Sequence, residues 1–357
     1  MTFEERKEKI IQFIKTYGEI SSADVQALTD VHRNTASGDL KQLVADGTLL
    51  CLGSKKGSSY RLFEETIFPP LAIEKIFPKK SLHELSSFFK VENRKKIFFN
   101  KISKEALLSN FSYPKNIQTQ FEKMKERIDH KRQELSFEIR KKKKEKLIID
   151  LSWASSNIEG NTYTLLETQN LLKYNQTAKG KSFFEAQMIL NHKEAIEYIS
   201  QGTDYKQITK QKTLELHQIL IKNLEVDTGL RTHLVAISNS SFIPCDNQFQ
   251  IISFFDLIIE KINNTKSVLE KAVMSNLLMA FLQPFSDGNK RTSRMLGNAI
   301  LLSHGLIPIS FAKTPKEDYI KAILYFYEKQ NADYFKQLFL NELNNSFREY
   351  VGQSPTP

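Results

Sequence analysis

Apolar residues at Ile10, Phe13, Ile14 and Tyr17 recur at steps of three and four, the spacing of one face of an α-helix. Thr2 and Glu5 stand in capping-box spacing ahead of that face, and Gly18 follows its last turn, so a helix is predicted from Thr2 to Tyr17. Ser22 can cap a second, shorter helix with Val25, Ala27 and Leu28 turned inward. A turn at Asp30 leads to a third helix near His32 to Ala45, with Ala36, Leu40, Leu43 and Val44 inward and Gly47 where a C-cap is expected. The pattern then changes. Leu49-Leu50-Cys51-Leu52 predicts a strand, Gly53 to Ser58 a basic turn, and Ser59-Tyr60-Arg61-Leu62 the returning strand.

Three helices and a hairpin with a basic tip resemble a winged helix-turn-helix, as do Thr35 to Val44 and Gly47-Thr48-Leu49 in detail. The resemblance implies DNA binding. Arg33, Asn34, Ser37 and Lys41 on the third helix would face the major groove, and Lys55 and Lys56 on the wing would sit near phosphates. Gly38 departs from it: a basic residue is expected nearby, and glycine inside a helix costs about 1 kcal/mol relative to alanine. A domain that serves protein contacts or dimerisation is the competing expectation.

Residues 64 to 113 carry Phe68-Pro69-Pro70 and Phe77-Pro78 among short apolar runs, with a short helix expected near Ser81 to Phe89. From Asn116 to Ile149 the pattern is helical and highly charged, reaching Arg-Lys-Lys-Lys-Lys-Glu-Lys at 140–146. A solvated helical arm is the first expectation, and a second contact to DNA backbone the other. The domain expectation is 1–65 for the winged helix, 66–146 for a connector, 147–350 for a helical bundle and 351–357 for a frayed tail.

The chain has 357 residues, more than one core usually fills, and an ordinary globular composition. Its 51 Lys+Arg against 41 Asp+Glu give a formal charge of +10, which permits a nucleic-acid or nucleotide partner. Cys51 and Cys245 alone cannot build a disulfide framework. No run approaches the roughly 18 apolar residues of a membrane span, and the start Met-Thr-Phe-Glu-Glu-Arg lacks a signal-peptide pattern. A soluble, cytoplasmic protein without a membrane partner is expected.

The chemistry concentrates between Phe281 and Gly305. Lys271 to Gln283 reads as a helix, Met295 to Leu302 as another, and Pro284-Phe285-Ser286-Asp287-Gly288-Asn289-Lys290-Arg291-Thr292-Ser293-Arg294 joins them. Unpaired N–H groups and the macrodipole make a helix start favourable for anions. Gly288 and Asn289 readily take the backbone angles of an anion nest. Arg291 and Arg294, three apart, share a face and can fork onto phosphate oxygens. Asp287 beside them could share Mg²⁺ with a diphosphate.

This stretch resembles the signature of the Fic (filamentation induced by cAMP) family, His-x-Phe-x-Asp/Glu-Gly-Asn-Gly/Lys-Arg-x-x-Arg. Phe285, Asp287, Gly288, Asn289, Lys290, Arg291 and Arg294 match it, with Lys290 as in the death-on-curing branch. Asn191-His192-Lys193-Glu194-Ala195, Leu216-His217, Gly229-Leu230-Arg231 and Ser241-Phe242-Ile243-Pro244 look like the family's flanking helices and flap. The resemblance covers about residues 147–350. It implies a mainly α fold, an all-α bundle with a small β-hairpin flap at Phe242, Ile243 and Pro244, after an α+β N-terminal domain. It implies ATP and Mg²⁺ as ligands: Asp287 on the metal, and Gly288, Asn289, Lys290, Arg291 and Arg294 on the phosphates. Ser155-Ser156-Asn157-Ile158-Glu159-Gly160 is similar to the family's inhibitory helix motif, which implies that Ser155 and Glu159 belong to it and that Glu159 pairs with Arg294 against the γ-phosphate.

Gln283 stands where the family has the histidine that takes a proton from the target hydroxyl. An amide cannot act as a general base, and losing one typically costs about 10²–10⁴ in rate. His217, His233 and His304 are substitutes by proximity in the fold, but each also reads as packing or surface. Two functions follow. One is a nucleotide-responsive, DNA-binding regulator with weak or no AMP transfer. The other is an autoinhibited adenylyltransferase that modifies a Ser, Thr or Tyr hydroxyl of a protein. A homodimer is compatible with both.

Overall fold

The computed structural model describes residues 1–45, 48–52, 58–62, 94–202 and 204–351, and the chain divides into two compact units, Met1–Thr66 and Ile67–Pro357. The expected helix at Ser81–Phe89, the C-cap at Gly47, the wing lysines Lys55 and Lys56, and the tail from Gly352 lie outside the described residues.

In the first unit α1 (Phe3–Tyr17), α2 (Ser22–Thr29) and α3 (Arg33–Ala45) precede β2 (Leu49–Leu52) and β3 (Ser59–Leu62). A two-residue strand that the sequence pattern did not reveal, β1 (Ile20–Ser21), completes an antiparallel sheet of order β1-β3-β2, with Ile20 opposite Tyr60 and Cys51 opposite Tyr60 on the other side. Thr2 and Glu5 close the capping box of α1. Ser21, not Ser22, caps α2, because Asp24 lies three residues on and completes a second box. Ala27 is exposed, and Thr29 takes the inward place by bonding the Val25 carbonyl. Ile10, Ile14, Ile20, Val25, Ala36, Leu40, Leu43 and Leu49 form the core. The half-buried Arg6–Asp39 pair at 2.6 Å ties α1 to α3.

The second unit is mainly α, as expected. After β4 (Ile97–Phe98) come α4 (Lys104–Ser109), α5 (Lys115–Glu134), α6 (Phe137–Ile158), α7 (Leu165–Tyr174), α8 (Phe183–Ser200) and α9 (Lys210–Ile221). Then follow β5 (Phe242–Ile243), α10 (Gln248–Asn264), α11 (Val268–Leu282), α12 (Asn289–Ser303), α13 (Lys316–Lys329) and α14 (Asp333–Val351). The charged stretch 116–149 is a solvated helix only in part: Arg140, Lys141, Lys142, Lys144, Glu145 and Lys146 are exposed, but the residues before Leu135 pack on the core. It breaks at Leu135-Ser136, where Ser136 caps α6. Within it α5 buries Ile117, Phe121, Met124 and Ile128 in the common core, its charges lying on the other face. None of the described helices is long and apolar enough to cross a membrane.

α11 is apolar around nearly its whole circumference, so it lies at the centre, buried from Leu269 to Leu282 apart from Glu270. The flap is not a hairpin. β5 pairs in parallel with β4, Ile97 opposite Phe242, because a buried Arg94–Glu328 pair at 3.1 Å brings the segment before β4 to α13, and Glu328 also accepts the Ser241 N–H. Phe242 stacks on Phe281 of α11 at 4.4 Å, and Pro244 is buried.

α11 and α12 approach closely at Gly297. A Cβ there would fall 2.1 Å from the Asn276 amide nitrogen and 3.1 Å from the Ala272 carbonyl, which that amide already bonds. Gly297→Ala should therefore cost about 2–3 kcal/mol and lower the thermal midpoint by several degrees in calorimetry. An unchanged midpoint would mean the pair separates freely.

Candidate nucleotide site

The site is built where α11 stops and α12 starts. Gln283 ends α11 in the left-handed region at φ 51°, which turns the chain into Pro284. Asn289 clasps the turn from the other side. Its Oδ1 accepts the Phe285 N–H at 2.9 Å, and its Nδ2 donates to the Phe285 carbonyl at 2.8 Å and to Gln283 Oε1 at 3.1 Å. Gln283 Nε2 donates to the Ala280 carbonyl at 2.5 Å. The Gln283 side chain is thus turned inward and buried, with both its polar atoms engaged.

Gly288 caps α12 at φ 80°, and no side chain caps it. Glycine is needed there twice over: for that angle, and because a Cβ would lie 3.1 Å from Ile221 and 3.5 Å from His217. The first N–H groups of α12 have no partner within the helix and point out of its end. His217 forms the floor. Its ring stacks on Phe285 at 3.7 Å, and Nε2 lies 2.9 Å from the Asp287 carbonyl. Burial lowers its pKa to about 4, so at neutral pH it is uncharged and Nε2 carries the proton donated to that carbonyl. His217 holds the loop in place.

The charges meet above this floor. Arg291 reaches Asp287 at 2.9 Å and the Leu220 carbonyl at 3.3 Å. Arg294 is buried. Its Nε donates to Ser155 Oγ at 3.0 Å, one terminal nitrogen donates to the Ser155 carbonyl at 2.9 Å, and the other lies 3.3 Å from the Tyr319 hydroxyl. Glu159, at the end of α6, bridges Arg294 and Lys290, each at 2.8 Å. Burial alone would raise the Glu159 pKa, but Arg294 and Lys290 outweigh it and hold the carboxyl down at about 2. Behind Ser155, His192 Nε2 lies 2.8 Å from its hydroxyl, while Nδ1 reaches the Met188 carbonyl at 2.7 Å. Burial lowers the His192 pKa to about 3, so the neutral ring donates to Met188 and accepts from Ser155.

Chemically this is an anion site whose cations already hold a carboxylate. Asp287 is its metal candidate. Most of its side chain is exposed, and its oxygens take the Gly288 N–H at 2.5 Å and the Arg291 guanidinium. Among the described residues no three His, Cys, Asp or Glu converge on a metal position. A lone exposed carboxylate suits Mg²⁺ that arrives on phosphate oxygens and keeps several waters, so the residues fit that ion.

The structure brings Gln283, Asp287, Gly288, Asn289, Lys290, Arg291, Arg294, Ser155 and Glu159 to one place. Phe242, Ile243 and Pro244 lie in the adjoining segment, joined to it by Arg231. That buried guanidinium donates to the carbonyls of Gln283 (2.6 Å), His233 (2.6 Å) and Cys245. His192, Arg231 and Tyr319 have no assigned role in the sequence reading. His192 and Arg231 fall within the family-like segments, but a side chain aimed at distant carbonyls or hydroxyls leaves no local pattern. His304 bonds the Ile300 carbonyl at the far end of α12. In the first unit Arg33, Asn34 and Lys41 are exposed on α3, and Ser37 is half-buried.

Residues 207–301 match the model of the Fic/DOC family. The chain carries a Fic/DOC domain. Among curated proteins it is similar to the protein adenylyltransferase Fic of Nematostella vectensis, 30% identical over 170 residues, 46% of this chain and 40% of that protein. It is also similar to that of Drosophila melanogaster, 28% identical over 225 residues, 60% of this chain and 46% of that protein. The chain thus spans less than half the length of these relatives. Fic-1 from C. elegans shares the fold at a TM-score of 0.57 and 16% identity, over 93% of this chain and 90% of that one. A Fic family protein from Desulfovibrio desulfuricans does so at 0.57 and 19%, over 70% and 79%. The protein is therefore a Fic-domain protein related to protein adenylyltransferases.

Because the Glu159 pKa is depressed in the fold, its ion pairs add stability above the ordinary carboxyl value of 4.5, and this is lost as pH falls towards about 2. Glu159→Gln should be less stable than the parent by on the order of 2–3 kcal/mol at pH 7. In urea titrations that gap should narrow steadily below pH 4.5. A gap that stays constant down to pH 3 would show that Glu159 is not held by these cations.

Proposed function

We propose that this chain is an ATP-binding Fic-domain protein held in an inhibited state, with weak or no AMP transfer, and that its N-terminal unit binds DNA, making it a nucleotide-responsive regulator. The observation that carries the reading is the double ion pair of Glu159 with Lys290 and Arg294. A triphosphate needs the same two cations, so phosphate and carboxylate compete for one set of donors. In this reading the N–H groups at the start of α12, with Asn289, Lys290, Arg291 and Arg294, hold the phosphates, and Asp287 holds the Mg²⁺ that shields them. Transfer is weak because Gln283 takes the position of the family's histidine. Its amide has no basic site that could accept a proton near pH 7, and it is already bonded to Ala280 and Asn289.

The DNA part is supported by the order of three helices and an antiparallel sheet, which resembles that of a winged helix, and by the exposed Arg33, Asn34 and Lys41 of α3. Asp39, which could repel phosphate, is turned inward onto Arg6. A second reading, a protein adenylyltransferase with surviving activity towards a hydroxyl side chain, is favoured by the names of the curated relatives.

Three measurements test this. Glu159→Gly should tighten Mg·ATP binding at least tenfold in calorimetry. Glycine is tolerated at that helix end, so the fold should survive. Adding Arg294→Ala should abolish the gain; equal affinity in all three proteins would remove the site. With α-labelled ATP, Glu159→Gly should label protein only when Gln283→His is added, whereas labelling with Gln283 in place would make the enzyme reading correct. Arg33→Ala with Lys41→Ala should weaken binding to the protein's own promoter at least tenfold and flatten its salt dependence. Absence of promoter binding by the intact chain at low salt would end the regulator reading.

A further inference from the structure

A second charged site lies at the opposite end of α12 from the Fic motif. The first half of α6, the segment that follows α12 and the end of α14 enclose a cleft of about 870 Å³. It borders Leu302 and Ser303, whereas the motif lies at the other end of α12, roughly 20 Å away at about 1.5 Å per residue. The floor is apolar, made by Leu147, Ile199, Leu302, Leu306 and Ile307. Seven basic side chains line it against three acidic ones.

The acids do not balance the bases. Glu349 lies 3.0 Å from Lys146 and 3.7 Å from Lys313, and Asp150 also pairs with Lys146. Among the described residues no carboxylate lies within ion-pair distance of Arg140, Lys143, Lys144 or Lys206. Lys143 is the most confined of these. It donates to the Glu349 carbonyl at 2.8 Å and lies over the Tyr350 ring at 5.6 Å. Burial, and then the neighbouring charge of Lys131, lower its pKa although Glu349 works the other way. A solvated charge run on a plain helix face would show neither the enclosure nor this crowding.

We propose that this cleft binds a small, multiply charged phosphate ester with an apolar or aromatic body, of the nucleoside polyphosphate class. The phosphates would lie among Arg140, Lys143, Lys144 and Lys206, and the body on the floor beside Tyr350. The volume falls within the roughly 300–1,000 Å³ of small-molecule sites, and an apolar floor beneath a cationic rim matches the two halves of such a molecule. The site is separate from the Fic motif and holds whether or not the motif binds ATP.

The test is calorimetric titration of the full chain with ATP in low salt, using the parent, Lys144→Glu/Lys206→Glu, Glu159→Gly, and all three changes together. Lys144 and Lys206 are exposed, so charge reversal leaves the core intact, and circular dichroism checks that it does. The parent should bind one ATP, weakened at least tenfold by Lys144→Glu/Lys206→Glu and weakened also by salt. Glu159→Gly should show two sites if the motif also binds, and one if it does not. In either case the cleft site is the one lost on charge reversal, so failure of the motif reading stays distinguishable. Affinity in the parent that charge reversal leaves unchanged would overturn the proposal, as would the absence of ATP binding by the parent. A short DNA duplex that binds through Lys144 and Lys206 while ATP does not would overturn it in favour of a nucleic-acid contact.

Discussion

A buried guanidinium needs acceptors or a counter-charge to replace water, and Arg294 is the point on which the organisation of the Fic domain turns. Its side chain is only 2% exposed, and an uncompensated cation at such a place costs several kcal/mol. Three residues on two helices supply the compensation: Glu159 and Ser155 from α6, and the Tyr319 hydroxyl and ring face from α13. The helix start that would receive an anion is thereby joined to the end of α6, whose carboxylate already holds its cations. Removing Glu159 without replacing its charge would leave Arg294 half-compensated, and a phosphate would complete the set again. The same electrostatic requirement therefore stabilises the observed ion pairs and defines what could replace Glu159 in them.

How far the site was legible in the sequence depends on the range of each contact. The loop from Gln283 to Arg294 could be read because its parts are local: a helix stop, a glycine at the next helix start, and arginines one turn apart. Ser155 and Glu159 lie more than a hundred residues from Arg294, and only the family resemblance suggested that they meet. Nothing local suggested His192, whose contribution is a hydrogen bond to Ser155, or Arg231, whose partners are three carbonyls from separate segments.

The fold shows the same division. Capping boxes at α1, α7 and α8 follow from Ser or Thr three residues before Glu, and their helices begin there. The first part of the charged stretch, 116–134, misled because its charges outnumber its apolar stripe. Ile117, Phe121, Met124 and Ile128 nonetheless keep helical spacing, and that spacing decides burial. The flap differed for a tertiary reason. Two residues cannot fix their own strand partner, and with the buried Arg94–Glu328 pair beside it β4 takes that edge in place of a hairpin strand.

These constraints bear on what the site can do. At Gln283 the backbone is fixed by Arg231, which grips its carbonyl, and the side chain by Asn289, which also holds the turn. Freeing the amide to orient a substrate hydroxyl would break contacts that shape the phosphate loop itself. Opening at Glu159 carries no such penalty, because that residue ends a helix and its two cations are the groups a triphosphate would take. The site is thus better arranged to exchange one anion for another than to move a proton. To shift such an equilibrium from 1:99 to 99:1, a nucleotide would have to favour the open arrangement by about 5.5 kcal/mol. Two cations on a multiply charged phosphate, acting at a helix start and helped by a metal on Asp287, can supply an energy of that order.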